Sequence, residues 1–223
     1  MRRWQKLLGL LSMVAIATLW VSPPVHATVL TFDGNICNGG NLCADGRAID
    51  QTYGDIAGQL DVVYSSRDGN GNTAVGAPFL PWWQENYSDL LNIAWALNGA
   101  VGEVALFPLA GFQVTLNSFD LGAWPNADRD SQVTIYDSTY NPLISSGPIT
   151  IDGIVHSQFL PNLTNANGLI IQWGPDAFNV GIDNINYTVQ PTNGTVPEPT
   201  TWLLLASGLV ATWAIQRRNR KNA

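Results

Sequence analysis

The run VGIDNINYTV, Val180 to Val189, decides the fold. Val180 and Ile182 have one parity, and Ile185, Tyr187 and Val189 have the other. Alternation of this kind marks a half-buried strand, because successive side chains leave a pleated backbone on opposite faces. A slip of one residue inside such a strand is what a β-bulge produces, and a bulge re-aims the side chains at it. Asp183 and Asn184 occupy the slip, so two oxygen-bearing side chains sit where the backbone departs from regular geometry.

The same period runs through the body of the chain. FQVTLN places Phe112, Val114 and Leu116 on one face, and QVTIYD repeats the pattern with Val133 and Ile135 inward. LDVVYS (60–65), LNIAWAL (91–97), EVALF (103–107) and GLIIQW (168–173) are further strand-length runs. Turn signals separate them: DGNGN from Asp68, GAP from Gly76, YNP from Tyr140, PN from Pro161 and GPD from Gly174. Short strands at this spacing, with almost no helical periodicity, predict an all-β antiparallel β-sandwich of jelly-roll type over residues 28–190. There is no internal repeat, and residues 191–195 read as a linker.

TFDG near the start and VGIDNI in the final strand resemble the terminal strands of galactose-binding-like sandwiches. That resemblance implies that the first and last strands pair and hold a structural Ca²⁺. Read from the residues alone, Asp33 approaches Asp183 and Asn184 if the first strand is their neighbour. Carbonyls of the following loop would complete an oxygen shell. The alternative is that these polar residues cap a strand end. The loop SRDGNGNTAVG is a poor EF-hand, with Thr73 at the glycine position and Phe79 where a bidentate Glu belongs.

Charge narrows the function. Between Thr28 and Thr195 the only cations are Arg47, Arg67 and Arg129, against sixteen Asp and Glu. Phosphate binding needs clustered cations, so nucleic acid is excluded as a partner. Cys37 and Cys43, in the loop CNGGNLC, are the only cysteines, and export favours a disulfide between them. Enzyme signatures are missing: the sequence contains no GxSxG elbow, HExxH pair or phosphate loop. His156 lies in a strand-like stretch, and Glu85 and Glu103 do not single out an acid pair for glycoside hydrolysis.

Aromatic residues are the remaining candidates. PFLPWWQENYSDL holds Trp82, Trp83 and Tyr87 in a polar, proline-bounded segment, and Trp124 lies in GAWPNADRD. Flat rings beside Asp, Asn and Gln suit glycan binding, where sugar C–H faces stack and hydroxyls take hydrogen bonds. The competing role for Trp82 or Trp83 is packing beneath its own loop.

Both ends carry addresses. Arg2, Arg3 and Lys6 precede the apolar stretch 7–21, and Val25-His26-Ala27 predicts cleavage of a signal helix, residues 1–27, after Ala27. At the other end Pro197, Glu198 and Pro199 open the segment 196–223. The uncharged stretch 199–216 would span roughly 27 Å as a transmembrane helix, and a basic tail, 217–221, keeps the C-terminus cytoplasmic. A plain membrane anchor is one reading. The order Pro-Glu-Pro, apolar helix, Arg-rich end also resembles the PEP-CTERM sorting signal. That resemblance implies a Gram-negative exopolysaccharide producer and processing near Pro197-Glu198-Pro199 by an exosortase. The chain would then be anchored transiently in the inner membrane before release to the cell surface or matrix. The expected protein is a non-enzymatic surface or matrix component associated with exopolysaccharide. The alternatives are a glycan-binding module and, more remotely, a glycan hydrolase.

Overall fold

The structure is a computed structural model and describes residues 25–192, except 40–41, 72 and 76–78. The signal stretch before Val25 and the tail, including Pro197, Glu198 and Pro199, lie outside the described residues. The strands are β1 (His26–Leu30), β2 (Leu60–Arg67), β3 (Trp82–Trp83), β4 (Ile93–Ala94), β5 (Val101–Pro108) and β6 (Phe112–Ala123). They continue with β7 (Arg129–Asp137), β8 (Pro142–Ile151), β9 (Ser157–Phe159), β10 (Leu163–Asn165), β11 (Leu169–Gly174) and β12 (Val180–Pro191). No helix occurs among them, and the body forms one compact unit, Val25–Thr192.

Two antiparallel sheets result. One has seven strands in the order β10-β6-β12-β4-β3, with β1 added to β12 and β9 to β6; the other has five, β2-β5-β11-β7-β8. The expected pairing of first and last strands is present, His26 to Leu30 against Val189 to Ile185. Ala27 is the second residue of β1, so cleavage after it would leave Thr28 to Leu30 in the ladder. The slip read from the sequence is also present: the β6–β12 register shifts between Asp183 and Asn186, and Asn184 has φ 50°. A positive φ is tolerated by Asn better than by most residues.

Several strands differ from expectation. LNIAWAL forms only the short β4, because Asn92 turns the chain with φ 60°. FQVTLN continues through SFDLGA as a twelve-residue strand, and β8 to β10 carry too few buried apolar residues to show a period. Inner faces of both sheets meet in one core that includes Tyr64, Val104, Leu116, Ile171, Trp173, Ile185 and Tyr187. Trp173, fully buried, donates from Nε1 to the Val180 carbonyl at 2.7 Å and so ties β11 to β12. The Cys37–Cys43 disulfide closes its loop with Cα atoms 5.2 Å apart.

Candidate functional site

Trp82 and Trp83 are the whole of β3, not loop residues, and strand geometry separates them. Adjacent residues on a strand face opposite ways. Trp82 turns into the main core, 7% exposed, with Nε1 donating to the Phe32 carbonyl at 2.9 Å. Trp83 turns outward and joins a second cluster with Tyr87, Leu90, Ile93, Trp95 and Trp124.

This second cluster lies over the outer face of the seven-stranded sheet. The chain can come that close because Gly122 and Gly181 are cross-strand partners. A Cβ on Gly122 would collide with the Tyr87 carbonyl, and one on Gly181 would meet Ile93 Cδ1 at 2.7 Å. Tyr87 is 3% exposed and donates its hydroxyl to the Phe178 carbonyl at 2.7 Å; burial pushes its phenol pKa well up. Its role is to fix the segment that carries the other rings.

Those rings are Trp83, Trp95, Trp124 and Phe178. Trp83 packs edge-on against Trp95 (6.1 Å, 87°) and Trp124 (6.4 Å, 76°), and Phe178 packs likewise against Trp95 (5.0 Å, 88°). Together with Tyr87 they line a small apolar cleft of ≈ 50 Å³. Trp83, Trp95, Trp124 and Phe178 are each only partly buried, and Gln84, Glu85, Asn86, Asn126 and Asp128 stand exposed nearby in the chain. Arg129 Nε holds the Trp124 carbonyl at 2.8 Å. Among the described residues the buried Trp95 Nε1 proton has no partner, on a ring that lines the cleft. Trp95 and Phe178 escaped the sequence reading. The helpful signal was Trp95 itself, the one ring among the alternating small apolar residues of LNIAWAL.

The same outer face bears the acids. Two residues before Gly122 and two after Gly181 come Asp120 and Asp183, which are also cross-strand partners. Each is 4% exposed. Asn184 Nδ2 donates to Asp120 Oδ2 at 2.9 Å, while Asp120 Oδ1 has no partner among the described residues. Burial pushes the Asp183 carboxyl up to about 8, with the charges of Asp33 and Asp120 adding to the effect. Asp33 itself is held by Asn92 Nδ2. Asp33, Asp183 and Asn184 are thus brought to one locality, and Asp120 is the member that the sequence did not disclose. As these side chains stand, no group of three or more His, Cys, Asp or Glu among the described residues is arranged to hold a metal ion.

His156 lies at the margin of this cluster, with Nδ1 2.9 Å from Asp89 Oδ1 and Nε2 3.8 Å from Asp120 Oδ2. Both ring nitrogens face carboxylates, so neither is directed to a serine hydroxyl as a triad requires.

Fold and site define an all-β, two-sheet body with a partly exposed ring cluster on one outer face. The chain also carries a PEP-CTERM protein-sorting motif, matched over residues 195–219. The motif marks an exported protein processed by an exosortase. None of the curated proteins matches the chain in sequence. Among solved structures it is similar to CBM29_1, a family 29 carbohydrate binding module from Piromyces equi, at 13% identity and TM-score 0.27, covering 62% of this chain and 95% of that one. A mutant of CBM29-2, another family 29 module, is similar at 14% identity and TM-score 0.21, covering 62% and 98%. At such TM-scores neither likeness bears on what this chain binds.

Proposed function

We propose that the protein is a non-enzymatic component of the cell surface or extracellular matrix of a Gram-negative bacterium. It associates there with exopolysaccharide by binding glycan at the ring cluster. The observation that carries this reading is the arrangement of Trp83, Trp95, Trp124 and Phe178. Their rings are held edge-to-face on a sheet surface, partly open to solvent, beside a buried indole donor without a partner. Rings placed for packing alone would turn inward, as Trp82 does. Trp83 and Trp124 are the contact residues; Trp82 and Tyr87 support them from below.

The test scores each variant twice. Trp83→Ala and Trp124→Ala are expected to weaken binding to exopolysaccharide from the producing cell at least tenfold, about 1.4 kcal/mol. Their melting temperatures should fall by no more than a few degrees, since both rings belong to the satellite cluster. Unchanged affinity in both variants would leave the matrix-component reading and remove the binding one.

Export and release form the second half of the reading. After crossing the inner membrane, the chain is held by segment 199–216 with its basic end in the cytoplasm until the exosortase acts. Changing Pro197, Glu198 and Pro199 together to Ala keeps the apolar segment but removes the stiff acidic tripeptide. In a host with an exosortase, the variant is expected to accumulate as an unprocessed membrane species. Processing at the parent rate would return the tail to a plain anchor.

A structural Ca²⁺ belongs to the same proposal. Asp33, Asp183 and Asn184, extended by Asp120, would supply its oxygens. Its support is a buried oxygen, Asp120 Oδ1, without a partner among the described residues, beside the Asp183 carboxyl, whose ionisation burial penalises more than the Asn184 N–H offsets. A divalent cation would remove that penalty and tie β6 and the segment after β1, through Asp33, to the bulge of β12.

A further inference from the structure

The five-stranded sheet carries a continuous row of polar side chains on its outer face. Ser65 on β2 pairs with Glu103 on β5, Glu103 with Gln172 on β11, Gln172 with Thr134 on β7, and Thr134 with Ser145 on β8. Their neighbours Tyr64, Val104, Ile171, Trp173, Val133 and Ile135 all turn into the core, so the row faces outward. An outward row is ordinarily solvated, yet Glu103 is 1% exposed and Gln172 6%.

Glu103 is compensated within the row. Arg67 donates to its Oε1 from Nε at 2.9 Å and from Nη2 at 2.7 Å, Ser65 donates at 3.1 Å, and Tyr140 donates to Oε2 at 3.2 Å. Gln172 Nε2 gives one bond to Glu103 Oε2 at 2.7 Å and one to the Gly71 carbonyl at 2.9 Å. Both amide protons are then used, so the amide cannot turn over, and Oε1 lies against Gly71, where an added Cβ would meet it at 2.4 Å. On the far side Thr134 donates to Ser145 at 3.5 Å. Among the described residues, no hydrogen bond joins Gln172 to Thr134.

At that break a groove of ≈ 330 Å³ opens, lined among others by Asn70, Gln132, Thr134, Tyr136, Gln172 and Pro175. The size is at the lower end of small-ligand pockets, about 300–1,000 Å³. Among the described residues no charged side chain lines it. Amides and hydroxyls offer both donors and acceptors, and Tyr136 presents a ring. An anion would meet no cation, and the carboxylate beneath is already neutralised by Arg67. The complement of such a lining is an uncharged ring with several hydroxyls.

We infer that this groove holds one sugar unit of an uncharged stretch of glycan, as a second site on the outer face of the other sheet from the ring cluster. The inference rests on the glycan-binding reading above and extends it to a groove of amides, hydroxyls and the Tyr136 ring, with Trp173 buried in the core below it. The turn between β11 and β12 links the two places, since it brings Pro175 to the groove and Phe178 to the cleft. Asn179 and Val180 fix that turn by donating to the Asp176 carbonyl at 3.0 and 2.9 Å. Only a glycan long enough to pass around that turn, from one outer face to the other, gains effective concentration for the second contact.

Hydrogen exchange on the mature exported protein separates the possibilities. The probes are short neutral gluco-, manno-, galacto- and xylo-oligosaccharides, one acidic oligosaccharide of uronic acid, and exopolysaccharide of the producing cell. A neutral probe is expected to protect residues 132–136 and 169–175, and Trp83→Ala should leave that protection in place. Gln132→Ala combined with Thr134→Val removes two lining groups and only long, exposed hydrogen bonds to Ser145, at 3.3 and 3.5 Å, and should weaken the neutral probe at least tenfold with melting little altered. Protection confined to 83–95 and 124 would overturn the groove and keep the ring-cluster reading. Equal protection by the acidic probe, or full affinity in the double variant, would also overturn it. If neither exopolysaccharide nor any oligosaccharide binds at either place, both readings fall together.

Discussion

With chelator present at pH 8, Asp183→Asn protein is expected to be more stable than its parent by on the order of 4 kcal/mol, and the advantage should vanish near pH 4. In the native protein the Asp183 carboxyl keeps its proton to about 8, because it is buried beside Asp120 with Asp33 close by. The unfolded chain loses that proton in the ordinary carboxylate range, near pH 4. Between those limits the native state binds more protons than the unfolded state, so stability falls as pH rises across the window. Asn is isosteric, can still accept the Asn184 N–H that now reaches Asp183 Oδ1 at 2.7 Å, and does not ionise. Denaturant midpoints at several pH values measure the difference. Parallel pH profiles for the two proteins would mean that Asp183 is ionised and compensated in the native state.

Calcium enters the same experiment. A cation that binds only the native state stabilises it by about 2.7 kcal/mol at a hundredfold excess over Kd. Adding Ca²⁺ to chelator-treated parent at pH 8 is expected to raise its melting temperature, and Asp183→Asn should lose most of that rise. No rise in the parent would mean that the Asp120–Asp183 pair is satisfied by a proton and not by a metal ion.

Trp82→Ala is expected to cost about 3–5 kcal/mol of stability, the usual range for truncating a buried aromatic. The ring is 7% exposed, and its removal also leaves the Phe32 carbonyl without the indole donor. Backbone bonds converge on the same residue: Trp82 N–H donates to the Arg47 carbonyl at 2.8 Å, and Gly46 N–H donates to the Trp82 carbonyl at 2.8 Å. The cavity therefore opens where the disulfide loop, β3 and the core meet, and the surroundings have little freedom to collapse. The denaturant midpoint should fall steeply in Trp82→Ala and little in Trp83→Ala. Affinity for exopolysaccharide, measured where each variant is folded, should show the opposite order. Equal loss of stability in both would place Trp83 in the core as well.

What the sequence determined on its own is local. Alternation in FQVTLN, QVTIYD and VGIDNINYTV established the all-β class, since period two is a property of one strand and needs no partner. The phase slip at Asp183-Asn184 located the bulge for the same reason, and Pro197-Glu198-Pro199 with its apolar run identified the sorting motif. Two cysteines six positions apart were close enough in the chain to be paired without a fold. Even the division of Trp82 from Trp83 was latent there, because adjacent residues in a strand cannot share a face; what hid it was treating the segment as a loop.

Partners far apart in the chain were decided only by the tertiary structure. Asp120 joins Asp183 because β6 and β12 pair in one register, and a shift of one residue would have turned one of the two to the other face. Phe178 meets Trp95 and Tyr87, and Gly122 lies opposite Gly181, for the same reason. The row from Ser65 to Ser145 draws one residue from each of five strands, so no window of sequence contains it. Strand pairing is a non-local interaction whose register depends on which faces are buried together, and that information exists only once the sheets have closed over the core.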